Sequence, residues 1–483
     1  MQKMNPNAAT SRPLCVDLDG TLVRTDTLIE TLLQLIRRNP LMLLMMPVWL
    51  AGGLARFKDE VAQRLTLNAA DLPYDETFLV YLRAEKANGR RLVLVTAADM
   101  RQARAVADHL QLFDDVIASD GTTNLKSAAK AQRLVDAYGA GGFDYAGNEM
   151  ADMAVWREAG GVILVNADAD AAARIKAERG IVREFGGSDP SWRPYFKALR
   201  LHQWMKNGLV FVPLLLAHMV LDPTALLRAS LAFVAFGLTA SAVYVINDLV
   251  DLKEDRHHPR KRNRSFASGA VPLKQGLVMA PALLAGAGLV TLLLPMQFAA
   301  WLAVYFATTL AYSFFFKRTM LFDVLVLAGL YTLRIIAGSA ALDIPRSFWL
   351  LAFSIFLFFS LALVKRYVEL ADMGRDADAR ERGRSYRAVD LETLSQFGIG
   401  SGLMAVLVLA LYIDSPTVKA AYANPEVIWL LCPLMLYLIC RFWILARRGE
   451  MHEDPIMFAI RDWRSQYIVA IAGVVLIVAT LWS

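Results

Sequence analysis

The chain has 483 residues, of which 56% are apolar and 20% charged, and its mean hydropathy is +0.39. That length exceeds the roughly 250–300 residues a single core sustains, and the composition excludes both a disordered chain and a wholly water-soluble enzyme. The net charge of +6 does not by itself indicate nucleic acid, and three cysteines, Cys15, Cys432 and Cys440, exclude a disulfide scaffold and a four-cysteine zinc site.

The first 13 residues are polar and lack a signal-peptide pattern, so the N-terminus is expected to stay in the cytosol. Up to about residue 190, LCVDLDG, RRLVLVTA, DDVIASD, FDYAGN and GGVILVN read as five buried strands separated by helical patterns, which predicts a parallel α/β sheet. The turn-rich stretch Gly186 to Pro194 marks a boundary, with one domain over 1–188 and a second over 189–483. Leu32 to Leu54 is nearly apolar enough to cross a membrane, but it interrupts the strand series and contains Arg37, Arg38 and Pro47. A helical cap lying on or partly in the membrane surface is expected there, with a buried helical hairpin as the alternative.

The first strand runs into Asp17-Leu18-Asp19-Gly20-Thr21. Two aspartates two residues apart can face one crevice if the chain kinks, and Gly20 permits the kink. One can attack phosphorus while the other protonates the leaving oxygen. Thr96 can donate to a phosphoryl oxygen, a lysine at 126 or 130 supplies positive charge, and Gly147 to Asp152, including Asn148, supplies metal ligands.

From residue 205 onward, nine apolar stretches long enough to span a bilayer begin near Asn207, Ala225, Gln275, Gln297, Phe322, Ser347, Thr393, Asn424 and Gln466. The loops after the second, fourth, sixth and eighth hold seven, two, seven and four Lys/Arg, whereas the opposite loops hold only Arg346 and Lys419. The basic loops and the N-terminal domain are therefore expected in the cytosol, which explains the positive charge without nucleic acid.

The second stretch closes with VYVINDLVDLKEDRHHPRKRNR. Asn247, Asp251 and Asp255 share one helical face, with Asp248 off it. Three oxygen ligands at the membrane border suit Mg²⁺ holding a diphosphate, with Arg256, Lys261 and Arg264 on the remaining phosphate oxygens. A plain topology-fixing basic loop would explain these cations but not the aligned oxygens. Further on, Tyr312, Lys317 and Arg318 precede a span, Asp323 begins it and Arg334 lies within it. Arg334 needs an anionic partner, either Asp323 or substrate phosphate. The sixth stretch ends with Lys365, Arg366 and Glu369, and its loop carries Gly383 to Arg387.

The ordered motifs of the first part resemble the haloacid dehalogenase (HAD) phosphatase superfamily over roughly residues 12–185. The resemblance implies Asp17 as nucleophile, Asp19 as acid, Thr96 as phosphate clamp, Lys130 as the lysine, a cap over about 24–88, and a Mg²⁺ site supported by Asp152. Asn148 stands where that superfamily has a metal-binding aspartate, so weaker Mg²⁺ binding is expected. Residues 190–483, with the NDxxDxxxD pattern and a later acidic motif, resemble the UbiA superfamily of nine-helix intramembrane prenyltransferases. LRLHQWMKN (Arg200 to Asn207), Asp255 to Pro259, Lys365-Arg366 and DPIMFAIRDWRS from Asp454 look most like its decaprenyl-phosphate phosphoribosyltransferase group.

That resemblance implies Mg²⁺-dependent transfer of a 5-phosphoribosyl group from phosphoribosyl diphosphate to a polyprenyl phosphate. Mg²⁺ would lie on Asn247, Asp251 and Asp255, aided by Asp323. Lys206, Lys317, Lys365 and Arg366 would hold the lipid phosphate or the ribose 5-phosphate, with Tyr312 and Arg334 also at the substrate. The HAD-like domain would then remove the 5-phosphate. The expected setting is a bacterial-type inner membrane, multi-pass, with homo-oligomers allowed. Prenyl transfer to an aromatic acceptor and a non-catalytic membrane scaffold are the alternatives.

Overall fold

The computed structural model describes residues 12–186, 191–259, 261–372, 386–451 and 454–481. Residues 187–190 of the expected boundary, and residues 383–385 of the loop after the sixth stretch, lie outside the described residues. The chain divides into two compact units. One comprises Met1–Leu199 together with Tyr244–Ala280, and the other Arg200–Val243 with Pro281–Ser483.

The first unit is built on a six-stranded sheet: β1 (Leu14–Val16), β2 (Leu92–Asp99), β3 (Asp115–Ser119), β4 (Asp144–Gly147), β5 (Gly161–Val165) and β6 (Ile181–Phe185). All neighbours pair in parallel in the order β3-β2-β1-β4-β5-β6. Strand order reverses between β1 and β4, and in open α/β sheets the crevice at such a point receives the ligand. Five strands match the five apolar runs. The sixth, β6, is an edge strand whose Val182, Arg183 and Glu184 are exposed, so it lacks the continuous apolar run that marks a buried strand.

Helices α1 (Thr27–Arg38), α2 (Met46–Ala51) and α3 (Leu54–Arg64) follow β1, and α4 (Glu76–Ala87) leads to β2. Asp26 caps α1 by accepting from the Ile29 amide, and Asp75 caps α4 by accepting from Phe78. Phe78, Leu79 and Leu82 of α4 pack with Leu14, Val16 and Leu92 of the sheet, whereas Leu35, Trp49, Phe57 and Val61 make a small core of their own in the cap. Leu41, Leu44, Val48 and Leu50 are 56–74% exposed, which rules out the buried hairpin. The remaining helices here are α5 (Met100–Leu110), α6 (Ala128–Tyr138), α7 (Met153–Glu158), α8 (Ala169–Glu178) and α9 (Arg193–Leu199).

Beyond α9 the chain is helical: α10 (Val212–Leu216), α11 (Pro223–Val250), α12 (Leu252–His257), α13 (Leu273–Thr291), α14 (Met296–Phe314), α15 (Phe322–Leu342), α16 (Phe348–Ala371), α17 (Leu391–Ile413), α18 (Pro416–Ala421), α19 (Leu431–Arg447), α20 (Pro455–Arg461) and α21 (Trp463–Leu481). Among the described residues, seven helices are long and apolar enough to cross a membrane, rather than the nine expected. The stretch from Asn207 is instead a 3-10 run, Leu201–Phe211, followed by the short α10, because Gly208 favours helix poorly and Pro213 has no N–H to continue a ladder. Helix α14 is 19 residues long and free of charged residues, but Gln297, Trp301, Tyr305, Thr308, Thr309 and Tyr312 reduce its hydropathy.

Candidate active sites

In the first unit, Asp17 follows β1 at the strand-order reversal and is buried. Lys130, one turn into α6, places Nζ 2.9 Å from Asp17 Oδ1, 2.9 Å from the Tyr145 hydroxyl and 3.6 Å from Asp152 Oδ1. Lys126 is half exposed and lies 3.9 Å from Glu149, so geometry singles out Lys130 of the two lysines. Burial raises the Asp17 carboxyl to about 6 against the opposing Lys130 charge, and burial followed by the Asp26 charge raises Asp19 to about 7. Asp19 Oδ1 accepts from the Thr27 amide at 2.8 Å, and the buried Thr96 hydroxyl accepts from the Ala98 amide at 3.0 Å.

Gly20 has φ +77°, and a Cβ there would come within 2.2 Å of Asn148 Nδ2. The glycine therefore serves both the turn and the close approach of Asn148, whose Oδ1 accepts from the Thr21 hydroxyl at 3.1 Å. Asp152 oxygens take the Tyr145 hydroxyl at 2.8 Å and the amides of Asn148 and Glu149 at 2.9 and 3.1 Å, so it braces the loop beside Lys130. Lys58, from the cap, was not anticipated. Its ammonium donates to Ala97 O and Asn124 Oδ1, and burial holds its pKa down while the Asp19 charge opposes.

The acidic motif of the helical part belongs to the same unit. Backbone bonds from Asp251 N to Asn247 O and from Asp255 N to Asp251 O, 2.8 and 2.9 Å, keep the helical path across the α11–α12 junction. The side chains sort differently from the expected triad. Arg264 Nη1 joins Asp248, expected off the face, to Asp255 at 3.2 and 2.6 Å, whereas Asp251 lies 3.1 Å from Arg37 Nη1. Burial raises the Asp255 carboxyl and Arg264 opposes. Arg256, expected at a phosphate oxygen, instead uses all three nitrogens on protein: Nε on Ala267 O, Nη1 on Glu30 and Asp71 O, Nη2 on Glu30. Lys261 is exposed in the 3-10 turn Lys261–Asn263. Asn247, Asp248, Asp251 and Asp255 offer hard oxygens, the chemistry Mg²⁺ requires. Among the described residues, no three His, Cys, Asp or Glu side chains are gathered as a ready metal cage.

The second unit gathers two clusters. Asp323 is fully buried, with Oδ2 on Arg366 Nε and Oδ1 accepting from the Tyr386 hydroxyl at 2.5 Å. Arg366 also contacts Glu369 and reaches the Tyr312 hydroxyl at 3.0 Å. Asp323 is thus paired with Arg366 and Tyr386, and Tyr312 lies on Arg366. Among the described residues, Arg334 does not pair with Asp323. Its contacts are neutral: Asn207 Oδ1, Leu330 O, the Tyr305 hydroxyl, and the faces of Tyr305 and Tyr331.

The other cluster centres on Asp454, missed as a site residue although its motif was visible. Asp454 Oδ2 receives Lys206 at 2.9 Å, Lys365 at 3.3 Å and the Tyr331 hydroxyl at 3.4 Å. Lys317 is half-buried in the 3-10 turn Phe316–Arg318.

Residues 209–481 match the model of the UbiA prenyltransferase family, and residues 14–157 match that of the haloacid dehalogenase-like hydrolases. Protein y4nM of Sinorhizobium fredii is 38% identical over 97% of this chain and 91% of its own length. Nodulation protein NoeC of Azorhizobium caulinodans is 37% identical over 58% of this chain and 91% of its own length. Decaprenyl-phosphate phosphoribosyltransferase of Mycolicibacterium smegmatis is 38% identical over 180 residues, 36% of this chain and 56% of that enzyme.

Proposed function

The chain belongs to the UbiA prenyltransferase family, a multi-pass membrane family, and carries an N-terminal HAD-like domain; from this we propose that it transfers 5-phosphoribosyl from phosphoribosyl diphosphate to a polyprenyl phosphate. The observation that carries the reading is the identity to decaprenyl-phosphate phosphoribosyltransferase. The Lys206–Lys365 pair, gathered on one carboxylate, adds an anion-binding centre.

Asn247, Asp251 and Asp255 are the residues to hold Mg²⁺, which when bound would offset the charge of a departing diphosphate. Arg264 and Lys261 add cations for its outer oxygens. Lys206 and Lys365 would hold a substrate phosphate, exchanging Asp454 for it. The acceptor phosphate is already anionic, so one of its oxygens can attack the anomeric carbon opposite the diphosphate without a strong base; one C–O bond forms as the other breaks. This is positioning with electrostatic stabilisation.

We further propose that the HAD-like domain removes the 5-phosphate. Asp17 attacks phosphorus, Lys130 orients it, Thr96 donates to a phosphoryl oxygen, Asp19 delivers the proton to the leaving oxygen, and water then frees the phosphate. The basic loops argue for a cytosolic placement of this domain, in an inner membrane.

The test follows radiolabelled phosphoribosyl diphosphate into lipid extracts of membranes bearing the full chain. Wild type yields labelled lipid lacking the 5-phosphate, Asp17→Asn yields lipid retaining it, and Asp251→Asn yields none. Diphosphate release only from a prenyl diphosphate with a phenolic acceptor would replace this reading with aromatic prenylation.

A further inference from the structure

Arg37 closes α1 in the cap of the HAD-like domain, yet its contacts lie more than 200 residues away, on the acidic motif at the α11–α12 junction. Nη1 is 3.1 Å from Asp251 Oδ1, donates to Val250 O at 3.2 Å and contacts Glu254. Every one of these contacts uses Nη1. The edge formed by Nε and Nη2 donates to nothing among the described residues, and the side chain is only 17% exposed.

A guanidinium edge with two parallel N–H groups matches two oxygens of one phosphate, a geometry an ammonium cannot offer. Here the edge is aimed by the very carboxylate assigned to hold the diphosphate's metal. Arg256 shows the contrast, because protein acceptors take all of its nitrogens. The cap is held in place independently of Arg37. Arg256 binds Glu30 of α1 through two nitrogens, and Lys253 and His257 of α12 both reach Asp71, at 3.2 and 3.1 Å.

Resting on the transferase reading above, we propose that Arg37 is a diphosphate ligand of that reaction, supplied by the hydrolase cap. Its Nη1 stays with Asp251 while Nε and Nη2 grip one phosphate of the donor. The cap therefore serves two sites: it covers the Asp17 crevice and lends a cation to the membrane enzyme.

The experiment is a calorimetric titration of Mg²⁺ with inorganic diphosphate into the full chain in nanodiscs, alongside the KM for phosphoribosyl diphosphate, with thermal melting to show that each variant is folded. Arg37→Gln should weaken diphosphate binding at least about tenfold, as losing a charged hydrogen-bond pair does. Arg37→Lys should recover part of it, keeping the charge without the fork. Lys253→Ala, which loosens the cap at Asp71 but leaves Arg37, should bind as wild type does. Binding by Arg37→Gln within about twofold of wild type, or an equal loss in Lys253→Ala, overturns the proposal. If Asp251→Asn loses diphosphate while Arg37→Gln keeps it, only this inference falls; if wild type binds none, the transferase reading falls with it.

Discussion

Glu30→Gln removes the negative half of a buried ion pair. Glu30 is 1% exposed, and its oxygens take Arg256 Nη1 at 2.6 Å, Arg256 Nη2 at 2.9 Å and the Thr25 hydroxyl at 3.0 Å. Taking away one partner of such a pair costs about 3–5 kcal/mol, because the survivor stays out of water without compensation. Arg256 would keep Ala267 O and Asp71 O, each at 3.2 Å, and glutamine would keep one acceptor, so the lower end, about 3 kcal/mol, applies.

The loss should appear where Glu30 sits, in α1. At about 1.4 kcal/mol per factor of ten, hydrogen exchange of the α1 amides should accelerate roughly 100-fold, read by mass spectrometry of peptides covering residues 27–38. Amides of β4 and β5, far from the pair in the sheet core, should change little. Arg256→Met should mimic Glu30→Gln. The double variant Glu30→Leu with Arg256→Met should regain most of the protection, since apolar replacement of a whole buried pair is close to neutral. Exchange in α1 within about threefold of wild type, or strictly additive single effects, would refute the pair as the anchor of the cap.

Lys130→Met should cut release of the 5-phosphate by at least about a hundredfold while phosphoribosyl transfer to lipid persists, measured in the same labelled membranes; equal loss of both would show unfolding instead. Burial pushes the Asp75 carboxyl up, but Asn166, the Phe78 amide and Arg24 together hold it below its ordinary value. Its contribution is therefore complete above the unfolded carboxylate pKa of about 4 and fades as pH falls through the lower folded value. Asp75→Asn should flatten the fall in α4 protection toward low pH, and an unchanged slope would contradict this. An environment-sensitive dye on Leu44→Cys or Val48→Cys should report a bilayer-like setting in nanodiscs, because an apolar ridge 64–74% exposed is otherwise costly in water; water-like emission at both would dismiss membrane contact by the cap.

Much of the hydrolase-like crevice was legible because its signals are local. Aspartates at a strand's carboxyl end, a glycine kink and a lysine opening a helix all lie within short windows, and Lys130 does reach Asp17. What escaped was pairing at long range. Charge and position made Arg256 look like a phosphate ligand, and nothing near it in sequence announces Glu30, 226 residues earlier. Of the two anionic partners expected for Arg334, Asp323 is not among its contacts, which are two tyrosines, an amide and a carbonyl. The carboxylate of Asp323 went to Arg366, 43 residues on, for the same reason. Strand β6 was lost because an exposed edge needs no apolar run.

The inclusion of Tyr244–Ala280 in the unit built around the N-terminal sheet bears on how this protein can be dissected. A truncation near residue 190 would strand Glu30, Asp26 and Asp71 without Arg256, Lys274 and Lys253, and would leave those cations bare on the remaining fragment. Neither piece made alone should behave as half of the whole. Exchanging the hydrolase portion between relatives should work only when the recipient's loop after α11 comes from the same donor.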